Sequence, residues 1–369
     1  MIERYLNPEI NSIWDDQNKF DTWKLVQEKY VETLEELDVA ENGIAKKINQ
    51  SVVQKNEVYK KEEITNHDLA SFVDILQKKV GEGSNWIHYG LTSSDIVDTA
   101  NSVLIMQSLD YVEDLINDLL STLQEKAVQE KDTSIIGRTH GVYAEETFLG
   151  NIFGNWHLEV ARGLNRLENS KNNISFGKLS GPVGDHSVVT PEMEKLTLEK
   201  LNLKPEQFAN QIVSRDRYAE VVSSLGILAT TYERIATNIR SYQRSEISEM
   251  LESFKDGQKG SSAMPHKKNP IGSERITGLA RIMRSYVSTS LENMVLWNER
   301  DISNSSVERI MLPDAFHLIS FMSIELNSIL KHLVINYEQI NVNLEDAKNK
   351  SVSQKYLSYL VNNGVDRDT

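Results

Sequence analysis

Apolar positions recur along this chain mostly at steps of three and four, the period of a helix with one buried face. Between residues 91 and 136, Ile96, Val97, Ala100, Val103, Leu104, Leu109, Val112, Leu115, Ile116, Leu119 and Leu120 keep that step, and neither proline nor glycine interrupts it. A second stripe, Tyr218, Val221, Val222, Leu225, Leu228, Ala229, Tyr232, Ile235, Ala236, Ile239 and Tyr242, predicts another long helix, after which Gly257 and Gly260 open a loop. The same period predicts helices over about 145–172, 273–296 and 313–334, and shorter ones over 17–38, 40–50 and 65–80. Few segments alternate with period two. The stretch 178–189, KLSGPVGDHSVV, is broken by glycine and proline and reads as a loop or a short hairpin. The expected fold is all-α, with an N-terminal helical domain at 1–91, a central long-helix bundle at 92–340 and a short C-terminal helical segment at 341–369.

Proline placement supports this reading. The prolines are Pro8, Pro182, Pro191, Pro205, Pro265, Pro270 and Pro313, so residues 9–181 contain none. A proline inside a helix costs about 3 kcal/mol, so such a stretch permits long helices. The 369 residues suffice for two or three domains. A net charge of -14 argues against a generally basic, nucleic-acid-binding surface. An anionic ligand must instead meet locally placed Arg, Lys or helix N-termini. There is no cysteine, which excludes disulfides and thiolate catalysis and fits a reducing cytoplasm. The opening MIERYLNPEI lacks the basic and apolar regions of a signal peptide, and no run approaches the roughly 18 apolar residues of a membrane span.

Of the eight histidines, His67, His88 and His140 lie in polar contexts: TNHDLASF, NWIHYGLTSSD and GRTHGVYAEE. His157, His317 and His332 sit inside helical patterns and read as structural, and His186 is unassigned. No His-x-x-x-His pair or comparable ligand spacing occurs, so neither metal nor cofactor is expected. The segment 257–275, GQKGSSAMPHKKNPIGSER, would pass on composition alone for a flexible surface loop. Its small residues at 260–263 nevertheless let backbone N–H groups converge on an anion, with Lys267 and Asn269 supplying a charge and a donor beside them.

GSSAMPHKKNP at 260–270 matches the signature GSSxMPxKxN of the fumarase/aspartase superfamily. LTSSDIVDTA (91–100) and GRTHGVYAEET (137–147) fall in the order that superfamily requires. MIERY, TNHD (65–68), WIHYGLTSSDIVDTA (86–100) and LWNERDISNSSVERIMLPD (296–314) resemble the adenylosuccinate lyase family in particular, and the resemblance spans essentially the whole chain. It implies a long-helix bundle that assembles into a homotetramer, with each active site drawn from three subunits, and a nucleotide substrate. The implied reaction is a β-elimination that releases fumarate without a cofactor. It needs one base, one acid and a cationic clamp.

By position the resemblance makes Ser261 the base, with Ser262 its alternative, and His140 the acid. Lys267 would stabilise the serine alkoxide. His88 matches a residue that contacts the substrate's phosphate or the acid itself, and Glu274 a carboxylate near the catalytic histidine. Substrate binding carries over to Arg4, Tyr5, Asn66, His67, Asp68, Thr92, Ser93, Gln211, Asn269, Arg300, Ser305 and Arg309. Without the resemblance, Arg300 and Arg309 would read as surface ion pairs within ERDISNSSVER. The stripe at 218–242 would be partly a subunit interface. The chain departs from the family at Asn66 (usually Arg), Tyr143 (usually His) and Glu146 (usually Pro). Its third domain has only begun at residue 369, which fits a natural short form or an incomplete chain. The competing readings are a sister lyase, such as one acting on argininosuccinate, and an inactive structural relative.

Overall fold

The computed structural model describes residues 1–254, 257, 263–264, 266–348 and 350–367. Its helices in chain order are α1 (Pro8–Trp14), α2 (Asp16–Glu36), α3 (Ile44–Gln50), α4 (Lys55–Thr65), α5 (Asp68–Val80) and α6 (Ser93–Gln129). A hairpin of β1 (Ser134–Thr139) and β2 (Val142–Phe148) follows. Then come α7 (Leu149–Ile174), α8 (Pro191–Glu199), α9 (Arg215–Tyr242), α10 (Ile271–Glu292), α11 (Ser303–Lys331), α12 (Tyr337–Ala347) and α13 (Ser353–Asn362). The all-α expectation holds. Two compact units divide the residues: 1–113, 166–226 and 283–321 form the first, and 114–165, 227–282 and 322–369 the second.

In the first unit, helix starts follow local chemistry. Asn7 caps α1 by accepting the N–H groups of Glu9 and Ile10, and Thr190 caps α8 by accepting that of Met193; each cap is followed by a proline at the first helical turn. Phe20 and Trp23 of α2 pack edge to face at 5.2 Å, and Trp23 meets Phe72 of α5 edge-on at 5.6 Å. One turn beyond Trp23, on the same face of α2, Gln27 is fully buried. The segment 178–189 is not a hairpin. Lys178 is fully buried and its ammonium meets the Asp95 carboxylate and the Gly181 carbonyl (2.8 Å), so the segment is tied to α6 instead. A buried charge needs such partners.

In the second unit, the stretch without proline or glycine, 91–136, is not helical to its end. Helix α6 ends at Gln129 and the chain turns into β1. The carboxylate of Glu130 accepts the Thr133 hydroxyl at 2.8 Å, and the Thr133 carbonyl accepts the Leu149 N–H at 2.8 Å. Ile135 and Ile136, which a helical reading counts as one more apolar step, are buried by the hairpin. Thr139 pairs with Val142 across His140 and Gly141, whose φ values are +55° and +79°. A two-residue loop with both φ positive matches the twist of the strands it joins.

Helix α11 begins ten residues earlier than the expected start at Pro313, which sits inside it. Pro313 has no N–H to give the Arg309 carbonyl, a local loss that the helix tolerates. The stripe of α9 reads correctly as a helix, and from Tyr218 to Ile239 its members are at most 2% exposed within this single chain.

Candidate active site

The first unit collects most of the residues expected to bind substrate, and it places several of them at helix N-termini. His67 is the N-cap of α5, its Nδ1 accepting the Ala70 N–H at 3.3 Å, and Asp68 is the first helical residue. Ser93 opens α6, and the N–H of Thr92 before it donates to Asp95 at 2.8 Å, the reach-back half of a capping box. Ser305 lies in the first turn of α11. The free N–H groups of a helix start favour anions. These residues also touch one another. His67 Nε2 lies 3.4 Å from the Ser93 hydroxyl, the Arg309 guanidinium donates to Asp68 at 2.6 Å, and Arg309 Nε reaches the Ser305 hydroxyl at 3.4 Å. Burial raises the Asp68 carboxyl, but the charge and hydrogen bond of Arg309 outweigh it, and the group lies below the usual carboxylate range. Behind Arg309 lies a cavity of about 240 Å³, lined in part by Trp14, Lys19, Trp23 and Asn101.

Arg300 and Gln211 are a second linked pair. Arg300 donates to Gln211 Oε1 at 3.2 Å and to the Ser94 hydroxyl at 3.1 Å. Arg4 and Tyr5 form a short 3-10 helix, with Arg4 exposed and the Tyr5 ring edge-on to Phe321 at 5.0 Å. Asn66 ends α4 with φ +51°, a left-handed cap that asparagine adopts more readily than most residues. His88 is half-buried in the turn before α6, with φ +64°.

The second unit holds His140, Lys267, Asn269 and Glu274. His140 is exposed at the hairpin tip rather than at a helix end. Its strand is anchored at Arg138, which forks onto the fully buried Glu249 through two 2.8 Å bonds. Lys267 is exposed, and its N–H donates to the Met264 carbonyl at 3.0 Å. Asn269 is half-buried just before α10. Glu274, exposed in the first turn of α10, borders an open depression that Arg240, Gln243 and Arg244 also line. Among the described residues no hydrogen bond joins Glu274 to His140. Ser261 and Ser262 lie outside the described residues.

Several supporting groups gave no sequence signal of their own. Arg215, Asp98 and Glu308 form a buried network in which the guanidinium meets Asp98 at 2.5 and 3.0 Å and Glu308 at 2.8 and 3.0 Å. The charges of Asp98, Arg215 and Glu308 all act on Arg300. Gln27 bonds both the backbone and the ring of His88. The pair Asp95 and Asp98, one turn apart in LTSSDIVDTA, was the one available hint that α6 carries a buried charged face.

A model of a lyase family matches residues 18–284. The chain is 42% identical over 368 residues to the adenylosuccinate lyase of Thermotoga maritima, a match covering 100% of this chain and 85% of that protein. It is 44% identical over 372 residues to the adenylosuccinate lyase of Aquifex aeolicus, with the same coverage of both chains. The crystal structure of a fumarate lyase from Mesorhizobium sp. BNC1 superposes with a TM-score of 0.89, at 20% identity, over 99% of this chain and 84% of that one. This last likeness concerns the fold.

Proposed function

Since the chain belongs to the adenylosuccinate lyase family, within the fumarase/aspartase superfamily, we infer that it cleaves the C–N bond of adenylosuccinate to give AMP and fumarate. It is a C–N lyase that works by elimination. The observation that carries this reading is identity of 42% and 44% to two such enzymes along the whole of this chain. The helix N-termini and paired arginines of the first unit support it. They offer localised cationic and N–H groups to a phosphate and two carboxylates, on a protein whose net charge is -14.

The roles follow from the chemistry. Ser261 takes the proton on the carbon next to a carboxylate, with Ser262 as its alternative. The electron pair left on that carbon is held in the adjoining carboxylate, then forms the C=C bond of fumarate as the C–N bond breaks. His140 gives its proton to the departing nitrogen. A serine hydroxyl can act as a base only where its alkoxide is stabilised, the part assigned to Lys267 and the N–H groups of its loop. Asn269 donates within that loop, and Glu274 favours the protonated form of the acid. Arg4, Tyr5, Asn66, His67, Asp68, His88, Thr92, Ser93, Gln211, Arg300, Ser305 and Arg309 bind the nucleotide and its succinyl carboxylates. The succinyl-carboxamide imidazole nucleotide of purine synthesis is the second substrate of this reading, which puts the enzyme in the cytoplasm. Among the described residues no helix is long and apolar enough to cross a membrane.

A homotetramer with shared sites completes the proposal. The test is fumarate release from both nucleotides and from argininosuccinate, followed by ultraviolet absorbance and paired with size-exclusion chromatography. Wild type should turn over adenylosuccinate as a tetramer, and Ser261→Ala and His140→Ala should each lose at least about 100-fold. Turnover of argininosuccinate alone, an active monomer or near-normal rates in either variant would overturn the corresponding part.

A further inference from the structure

We propose that Gln27 is a positioning residue for His88, and that it presents His88 to the substrate as a neutral imidazole with its proton on Nε2. This rests on the reading above, which puts His88 at the nucleotide, and it deepens that reading by fixing what His88 can do there.

The argument begins with an atom whose role is not open to choice. A backbone N–H can only donate, and that of His88 lies 3.0 Å from one end of the Gln27 amide, which must therefore be Oε1. The other end is then the NH2 group, and it lies 3.0 Å from His88 Nδ1. An NH2 group only donates, so Nδ1 must offer a lone pair, and the ring proton is on Nε2. One amide thus clamps both the backbone and the ring of the same histidine. Gln27 is fully buried on α2, so no water competes for either bond.

The surroundings reinforce the clamp. Tyr30, three residues on along α2, donates its hydroxyl to the Tyr89 carbonyl at 2.9 Å, so one helix face holds both residues of the turn. The left-handed backbone of His88 (φ +64°) is a conformation that needs such support. His67 is held in the same sense: its Nδ1 accepts the Ala70 N–H at 3.3 Å, which leaves Nε2 to meet the Ser93 hydroxyl at 3.4 Å. Burial, and then the neighbouring His67, push the His88 ring down to about 4. His67 is the titratable group that acts on it electrically, while Gln27 carries no charge.

The consequence is a narrower role for His88. A neutral ring whose only proton is on Nε2 can donate one hydrogen bond to a phosphate or carboxylate oxygen. It cannot serve as a cation, and as an acid it would have to leave an imidazolate, so proton donation remains with His140.

The test uses the full-length assembled enzyme with Gln27→Glu and Gln27→Met. Nitrogen-15 spectra of histidine-labelled wild type, with the His88 signal identified by its loss in His88→Asn, should show Nδ1 unprotonated and Nε2 protonated between about pH 6 and 8. In Gln27→Glu one carboxylate oxygen still accepts the His88 N–H, but the other calls for a proton on Nδ1. That variant should gain an ionisation in its kcat/KM profile that wild type lacks. Gln27→Met, which keeps the volume and loses both bonds, should raise KM about tenfold, the worth of one such contact, with kcat less affected. A protonated Nδ1 in wild type, or a Gln27→Glu profile that overlays the wild-type one, would overturn the proposal. The spectra need no substrate, so failure of wild type to turn over adenylosuccinate would sink the proposed function and leave the tautomer to be judged separately.

Discussion

Arg138 and Glu249 meet through two parallel 2.8 Å hydrogen bonds beneath the hairpin that carries His140. The Glu249 side chain is fully buried and that of Arg138 is 11% exposed. Asn343 of α12 adds a third donor to Glu249, at 2.7 Å. The carboxylate therefore joins β1, the chain after α9, and helix α12. Removing one partner of a buried pair leaves an uncompensated charge. Arg138→Leu should therefore lower unfolding free energy by about 3–5 kcal/mol in urea titrations. Glu249→Gln keeps one acceptor oxygen but turns the other into an NH2 group that faces an Arg138 N–H, and it leaves the guanidinium without its counter-charge, so it should cost a similar amount. A near-zero loss in either variant would mean that the pair does not hold the hairpin.

Arg215 is a fork between two carboxylates, with two bonds to Asp98 and two to Glu308, all three residues being buried. Lysine has three donors on one nitrogen and cannot reproduce the four bonds that the guanidinium spreads over both carboxylates. Arg215→Lys should therefore fail to rescue the stability lost in Arg215→Met, and both should unfold at lower denaturant by an amount equivalent to about 3 kcal/mol or more. Because the network acts on Arg300, KM for adenylosuccinate should rise in whatever fraction of either variant remains folded. An unchanged KM in folded Arg215→Lys would detach the network from the site.

The long helices were legible because their cause is local: an apolar step of three or four and the absence of proline suffice for α6, α7 and α9. The hairpin was not, because Ile135 and Ile136 continue the helical step and its turn is His-Gly rather than the commoner Asn-Gly. The hydrogen bonds that decide it come from Glu130 and the distant Leu149. The same contrast divides the site. His67, Asp68, Ser93, Ser305 and Arg309 came from motifs, and the structure links them through side-chain contacts. Gln27 stands 61 positions from the histidine it holds, and in sequence it is one polar residue inside a helix. A buried polar residue shows its purpose only when its partner is in place.

The His88 ring makes a prediction about stability in acid. Its value in the folded protein is pushed down to about 4 from the ordinary 6.5, first by burial and then by His67. The unfolded chain therefore binds a proton that the folded chain refuses between about pH 6.5 and 4, and stability must fall as pH drops through that window. Below about pH 4 both states are protonated and this contribution stops changing. Urea midpoints measured from about pH 7 to 4.5 should decline in wild type and decline less steeply in His88→Gln, which has nothing to titrate. Parallel curves would show that the ring titrates normally in the fold.

Gly141 and Gly184 have nearly the same φ, +79° and +76°, in different surroundings. A Cβ at Gly141 would meet nothing within 4 Å, whereas one at Gly184 would run into the carbonyl of Ala209, which is backbone and cannot swing aside. Alanine at either site bears the left-handed strain, about 1 kcal/mol. At position 184 the collision is added, so the loop at 178–189 or the chain at 209 must move. Gly141→Ala should thus be mildly destabilising, while Gly184→Ala should cost about 3 kcal/mol. The loop also carries Lys178 and the N–H groups of Ser180 and Gly181 that Asp95 accepts, and Asp95 in turn holds the N–H of Thr92 at 2.8 Å. Displacement at Gly184 should therefore reach the start of α6, and Gly184→Ala should raise KM as well as lower the melting temperature. Equal stability of the two variants would show that strain alone, and not the contact with Ala209, governs position 184.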